Sequence, residues 1–157
     1  MGPRVSAVDT RSLPRNAAPE ASTPARWPVL AVIAVGGALG AMGRHGIDVL
    51  LPAPDREFPL GTFLVNVVGC LLIGALAGAL FRPGAHRLLR PFVAVGVLGG
   101  FTTFSTYAVQ ALTLALDEEV GTATGYLIVT AVSALLAVEA GLVLSRGLSH
   151  RRRRRSR

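Results

Sequence analysis

Gly96-Val-Leu-Gly-Gly-Phe-Thr-Thr-Phe-Ser-Thr-Tyr107 lies in the middle of an uncharged run from Phe92 to Leu116. A run of that length reads as membrane-spanning, because about 20 apolar residues cross a bilayer core of roughly 30 Å. The centre of this run is poor material for a lipid-facing helix. Gly96, Gly99 and Gly100 stand beside Thr102, Thr103, Ser105 and Thr106, and irregular backbone at membrane depth survives only where protein or a wet cavity satisfies its N–H and C=O groups. The stretch is therefore expected to break the helix and to face a partner or a pore. Carbonyls freed at such a break can coordinate a cation, and nearby hydroxyls and ring edges can meet an anion.

Three further apolar segments flank this one, at about Val29 to Leu51, Leu60 to Phe81 and Gly121 to Leu144, while the broken span itself runs from Leu88 to about Leu116. Prolines and charges collect between them, in Pro52, Pro54, Asp55, Arg56, Glu57 and Pro59, then Arg82 to Arg90, then Asp117 to Glu119. Mean hydropathy is +0.52 and the 16 basic residues are all arginine. The fold class is an all-α membrane protein of four transmembrane helices, the third broken near its centre. Residues 1–27, with Pro3, Pro14, Pro19 and Pro24 and no apolar periodicity, read as a disordered tail. Residues 28–146 form the membrane domain, and 147–157 form a basic tail beside anionic lipid. The net charge of +7 does not point to nucleic acid, since the arginines flank apolar segments and do not interleave with aromatics on a soluble face.

Each polar residue inside a span has a structural and a functional reading. Arg44, near the end of the first span, either pairs with Asp48 one turn on and snorkels to the interface, or forms an electropositive mouth that concentrates anions. Asn66 is the one strongly polar side chain of the second span, and serves either as interhelical glue or as a pore-lining donor. Phe104 and Tyr107, three apart, share a helical face, where they pack or present their positive ring edges. Cys70, the single cysteine, reads as a small buried hydrophobe. Glu139 is an intramembrane carboxylate within two turns of Arg146. Gly36 with Gly40, and Gly74 with Gly78, are small-residue pairs that allow close helix approach.

Three of these stretches together resemble one family. Gly99-Gly-Phe-Thr-Thr-Phe-Ser-Thr106, the Gly36 to Arg44 segment and Gly61-Thr-Phe-Leu-Val-Asn66-Val-Val-Gly69 are similar to the third, first and second helix signatures of the fluoride ion channel family, Fluc, also called CrcB. The resemblance implies passive, selective export of fluoride from the cytoplasm, with no enzymatic activity. It implies a fluoride path along Asn66, Phe104 and Tyr107 and strengthens the anion-mouth reading of Arg44, while the hydroxyls of Thr103, Ser105 and Thr106 are further donors that the sequence itself offers to that path. It also implies an antiparallel dimer and a structural sodium ion, held by backbone carbonyls that map onto Gly99 and Thr102. Tyr107 departs from the family pattern, which typically has phenylalanine there.

Four spans put both termini on one side, and that side carries all of the 16 arginines except Arg44 and Arg56. By the positive-inside rule the termini are cytoplasmic. A chain that inserts both ways needs balanced arginines, so this imbalance favours pairing with a second, oppositely oriented homologue over pairing with itself. Two rival functions use the same four spans. A proton-coupled exporter of the small multidrug-resistance type would rely on Glu139, and a non-conducting subunit would use only the glycine faces.

Overall fold

The computed structural model describes residues 26–53, 55–80 and 86–155. Helix α1 spans Trp27–Leu50 and α2 spans Leu60–Leu80. A π-helical segment, Pro91–Val97, leads into the single turn α3, Leu98–Phe101, and after a break α4 follows at Ser105–Leu116. Helix α5 is the longest, Val120–Arg155. Among the described residues, four stretches are long and apolar enough to cross a membrane: Trp27–Leu50, Leu60–Ala77, Pro91–Leu116 and Val120–Gly147. The expected N-terminal tail lies outside the described residues except for Arg26 and Trp27. The basic stretch after Gly147 continues α5 as helix as far as Arg155.

Proline opens two of these elements. Pro28 lies in the first turn of α1 and Pro91 starts the π-helical segment, where the missing N–H has no helical partner to lose. The α4 to α5 connection is a Schellman turn. Glu119 N–H donates to Leu114 O at 2.9 Å and Glu118 N–H to Ala115 O at 3.3 Å, with Glu118 at φ 66°.

Two glycine-mediated crossings hold the spans together. A Cβ on Gly36 would come within 2.5 Å of Phe92 O, one on Gly40 would collide with Val97 O, and one on Gly100 with Gly37 O. Helix α1 therefore lies backbone to backbone against the first half of the third span. The second crossing joins α2 to α5, where Gly74 meets Val138 O and Gly141 meets Leu71 O. Without a hydrophobic drive inside lipid, such close approach supplies the dispersion contacts that hold helices together.

These contacts also fix where, within the stretch expected to break, the helix opens. The glycines of the third span stay helical, with Gly96 in the π-helical segment and Gly99 and Gly100 in α3, and the helix opens at Thr102 to Phe104. Glycine here serves approach to α1, and the departure from helix is made by the hydroxyl residues that follow.

A small core lies between α4 and α5, with Ala111, Leu114, Ala123 and Tyr126 buried and Phe58, Phe63 and Tyr107 packed against it. Tyr126 is at the centre, with its ring 5.2 Å from that of Phe58 and 5.1 Å from that of Tyr107, both edge to face. The outer faces of the spans are largely apolar and exposed, among them Met42, Leu112, Leu135 and Leu136. Lipid or another protein surface is the natural environment for them.

Candidate functional site at the helix break

The break is held open by one side chain from α2. Asn66 Nδ2 donates to Thr103 O at 2.9 Å, and Asn66 Oδ1 accepts from Thr103 N–H at 2.9 Å. Both ends of the amide thus engage the backbone of a single residue across 37 positions of sequence. One Nδ2 hydrogen is left over, since a primary amide has two.

Thr103 in turn starts the next helix. Its hydroxyl accepts from Thr106 N–H at 3.1 Å and donates to Thr106 Oγ1 at 3.1 Å, with Ser105 Oγ at 3.3 Å. One of the orphan donors at the start of α4 is satisfied in this way. On the other side of the break, Thr102 Oγ1 and Thr102 N–H both donate to Leu98 O, at 2.9 and 3.0 Å, and end α3.

Beside this junction is a groove of about 280 Å³ lined by Asn66, Thr102, Thr103, Phe104, Tyr107 and Thr130. Cys70, one turn beyond Asn66, also lines it, so the thiol is half-buried at a groove and not enclosed in a core. The two rings stand 5.9 Å apart with their planes tilted by 55°. Phe104 is 79 % exposed, projecting from the single chain. Tyr107 is anchored: its hydroxyl donates to Leu127 O on α5 at 2.6 Å. The hydroxyl that distinguishes this tyrosine from phenylalanine is therefore engaged by a helix carbonyl.

Thr130 was not singled out from the sequence. Its side chain is 3 % exposed and its Oγ1 is buried with no hydrogen-bond partner. Leaving a buried hydroxyl unmade costs about 1–3 kcal/mol, and Thr130 is among the residues that line the groove. The available signal was spacing: Tyr126 and Thr130 lie four apart on α5 and share one face. Tyr126 OH donates to Gln110 Oε1 at 2.9 Å, tying α5 to α4 just beside Tyr107.

The other sequence candidates fall outside the groove. Ser105 and Thr106 belong to the hydroxyl cluster behind Thr103. Gly99 lines a neighbouring groove of about 160 Å³ together with Thr102, Gly69, Cys70 and Leu98. Arg44 is on α1, and its Nε is buried with no partner. Of the two alternatives for Arg44, the pairing with Asp48 is not formed, although the two lie one turn apart. Glu139 is exposed on the apolar surface of α5, away from the groove. Among the described residues, no group of three or more His, Cys, Asp or Glu could hold a metal ion, so any cation here would rely on other oxygens.

Residues 31–142 match the family described as CrcB-like protein, Camphor Resistance (CrcB). The chain is 47 % identical over 116 residues to a protein of Paracoccus denitrificans named fluoride-specific ion channel FluC, an alignment covering 74 % of this chain and 93 % of that one. It is 46 % identical over 138 residues to fluoride-specific ion channel FluC 1 of Streptomyces coelicolor, covering 81 % and 89 % of the two chains. It is 49 % identical over 115 residues to fluoride-specific ion channel FluC 2 of Thermobifida fusca, covering 73 % and 85 %. With four spans, a third span opened at Thr102 to Phe104 and a match over most of its length, the chain is a multi-pass membrane protein of the CrcB family.

Proposed function

We propose that this chain is a fluoride-specific channel subunit that lets the anion leave the cytoplasm passively. The observation that carries the reading is the pairing of Asn66 with the backbone of the break, beside a groove lined by Phe104, Tyr107 and Thr130. Relatives of closely similar sequence carry that activity in their names.

Fluoride is small and tightly hydrated, so a path for it must replace water with close donors without holding the ion too firmly to leave. The second Nδ2 hydrogen of Asn66 and the Thr130 hydroxyl supply donors. The positive edges of the Phe104 and Tyr107 rings supply a weaker, non-hydrogen-bonding attraction. Thr103, Ser105 and Thr106 act behind them by holding the start of α4, and Arg44 acts at a distance by raising local anion concentration. The inside-negative membrane potential drives the anion outward, at about 2.3 kcal/mol per charge per 100 mV, so no coupled energy source is needed.

Several finer features belong to the same proposal. The carbonyls of Gly99 and Thr102 fit a structural sodium ion, since neither receives the backbone N–H four residues further on. When bound, such an ion supplies fixed positive charge and cross-links the break. The exposed Phe104 and the exposed apolar helix faces suit an antiparallel dimer. The arginine imbalance, with the termini cytoplasmic, favours a second homologue as the partner over another copy of this chain.

Growth of a fluoride-hypersensitive bacterium that lacks its own exporter tests the reading. Expression of this chain, alone or with its homologue, is expected to restore growth in millimolar fluoride. No rescue by either combination, with the protein present in the membrane, would overturn it.

A further inference from the structure

We infer that Asn66 and Thr103 are positioning residues for the cation at the break, stripping the Gly99 and Thr102 carbonyls of their helical partners. This rests on the sodium site proposed above. In an unbroken helix, Gly99 O would accept from Thr103 N–H and Thr102 O from Thr106 N–H. Both donors are captured by side chains. Thr103 N–H goes to Asn66 Oδ1 at 2.9 Å, and Thr106 N–H goes to Thr103 Oγ1 at 3.1 Å. Thr102 itself is extended, at φ −74° and ψ 158°, which turns its carbonyl out of the helical direction.

The two deprived carbonyls belong to residues lining one groove of about 160 Å³. Backbone oxygens left without donors in an apolar setting are costly, and a hard cation that prefers oxygen ligands relieves that cost. The chemistry also links this site to the anion groove. Asn66 uses Oδ1 and one Nδ2 hydrogen to fix Thr103, so the position of the deprived carbonyls and the aim of its second Nδ2 hydrogen are set by the same pair of bonds. Whatever the cation contributes to holding that geometry, Asn66 must return in cation affinity, because coupling between sites is reciprocal.

The test uses sodium itself, with the assembled full-length channel in detergent. Thermal unfolding is followed in sodium chloride and in an equal concentration of N-methyl-D-glucamine chloride. The wild type is expected to unfold at a higher temperature in sodium. In Asn66→Ala the sodium concentration needed for half of that stabilisation should rise by about tenfold or more, as when an outer-shell partner of a metal ligand is removed. Thr103→Val should lose the effect likewise, and Thr103→Ser, which keeps the hydroxyl, should retain it. Having two residues and a conservative rescue means that misfolding of one variant leaves the test intact. Full sodium stabilisation in both Asn66→Ala and Thr103→Val would overturn the inference. Absence of any sodium effect in a wild type that still conducts fluoride would also overturn it, together with the sodium site, and would leave the channel reading standing.

Discussion

Asn66 and Thr103 are joined twice, amide nitrogen to carbonyl and amide oxygen to N–H, each at 2.9 Å. This pairing replaces a helical turn by a cross-span contact. It places a polar side chain of α2 at the point where the third span opens.

Asn66→Ala removes both bonds and the remaining donor. Interhelical hydrogen bonds inside membranes average about 0.6 kcal/mol, so the protein should still fold. Fluoride conduction should fall by roughly tenfold or more, the equivalent of 1.4 kcal/mol in the path. Efflux from liposomes beside a thermal unfolding curve would separate the two effects. Unchanged efflux with the protein folded would remove Asn66 from the path.

Thr130→Val tests the buried hydroxyl that has no partner. The two side chains are nearly isosteric, and removing an unsatisfied polar group is neutral or stabilising, by up to about 1 kcal/mol. Conduction should nonetheless fall. A variant that is more stable and conducts equally well would show that the hydroxyl plays no part.

Tyr107→Phe should behave differently. The hydroxyl donates to Leu127 O and not into the groove, so its loss should cost about 1 kcal/mol of stability at most. Fluoride conduction should remain within about twofold of wild type, a change below 0.5 kcal/mol. A selective loss of conduction would mean that the hydroxyl faces the ion at some step.

Gly40→Ala and Gly141→Ala each set a methyl group against a neighbouring backbone carbonyl, of Val97 and Leu71 respectively. Overpacking of this kind costs about 1–3 kcal/mol, and both variants should lose thermal stability. Gly46→Ala and Gly121→Ala, which meet nothing within 4 Å, should be tolerated. Equal behaviour of all four would contradict the close crossings.

The four spans were legible because their apolar runs are long and their loops collect proline and charge. Asn66, Phe104 and Tyr107 were legible because polar and aromatic groups are conspicuous in such runs. The location of the break was less so. The pattern marked the Gly96 to Tyr107 stretch as a whole, but within it Gly96 to Gly100 stay helical to meet α1, and the opening at Thr102 to Phe104 goes with Asn66 capturing Thr103. That capture joins residues 37 apart in sequence, which local pattern does not reveal. Thr130 was hidden for the same reason: one hydroxyl among several in the fourth span becomes distinctive only when packing buries it against the groove. Arg44 and Asp48 show the reverse case, because a spacing that permits an ion pair did not produce one.

Fluoride efflux from liposomes, read with a fluoride electrode for this chain reconstituted with its homologue and then alone, distinguishes a paired fluoride channel from every alternative. The expected result is rapid efflux that ignores chloride, needs no proton gradient and appears only when both chains are present. Efflux from the single chain would contradict the proposed pairing while upholding the channel. Absence of fluoride efflux under both conditions, or efflux that requires a proton gradient, would contradict the channel itself.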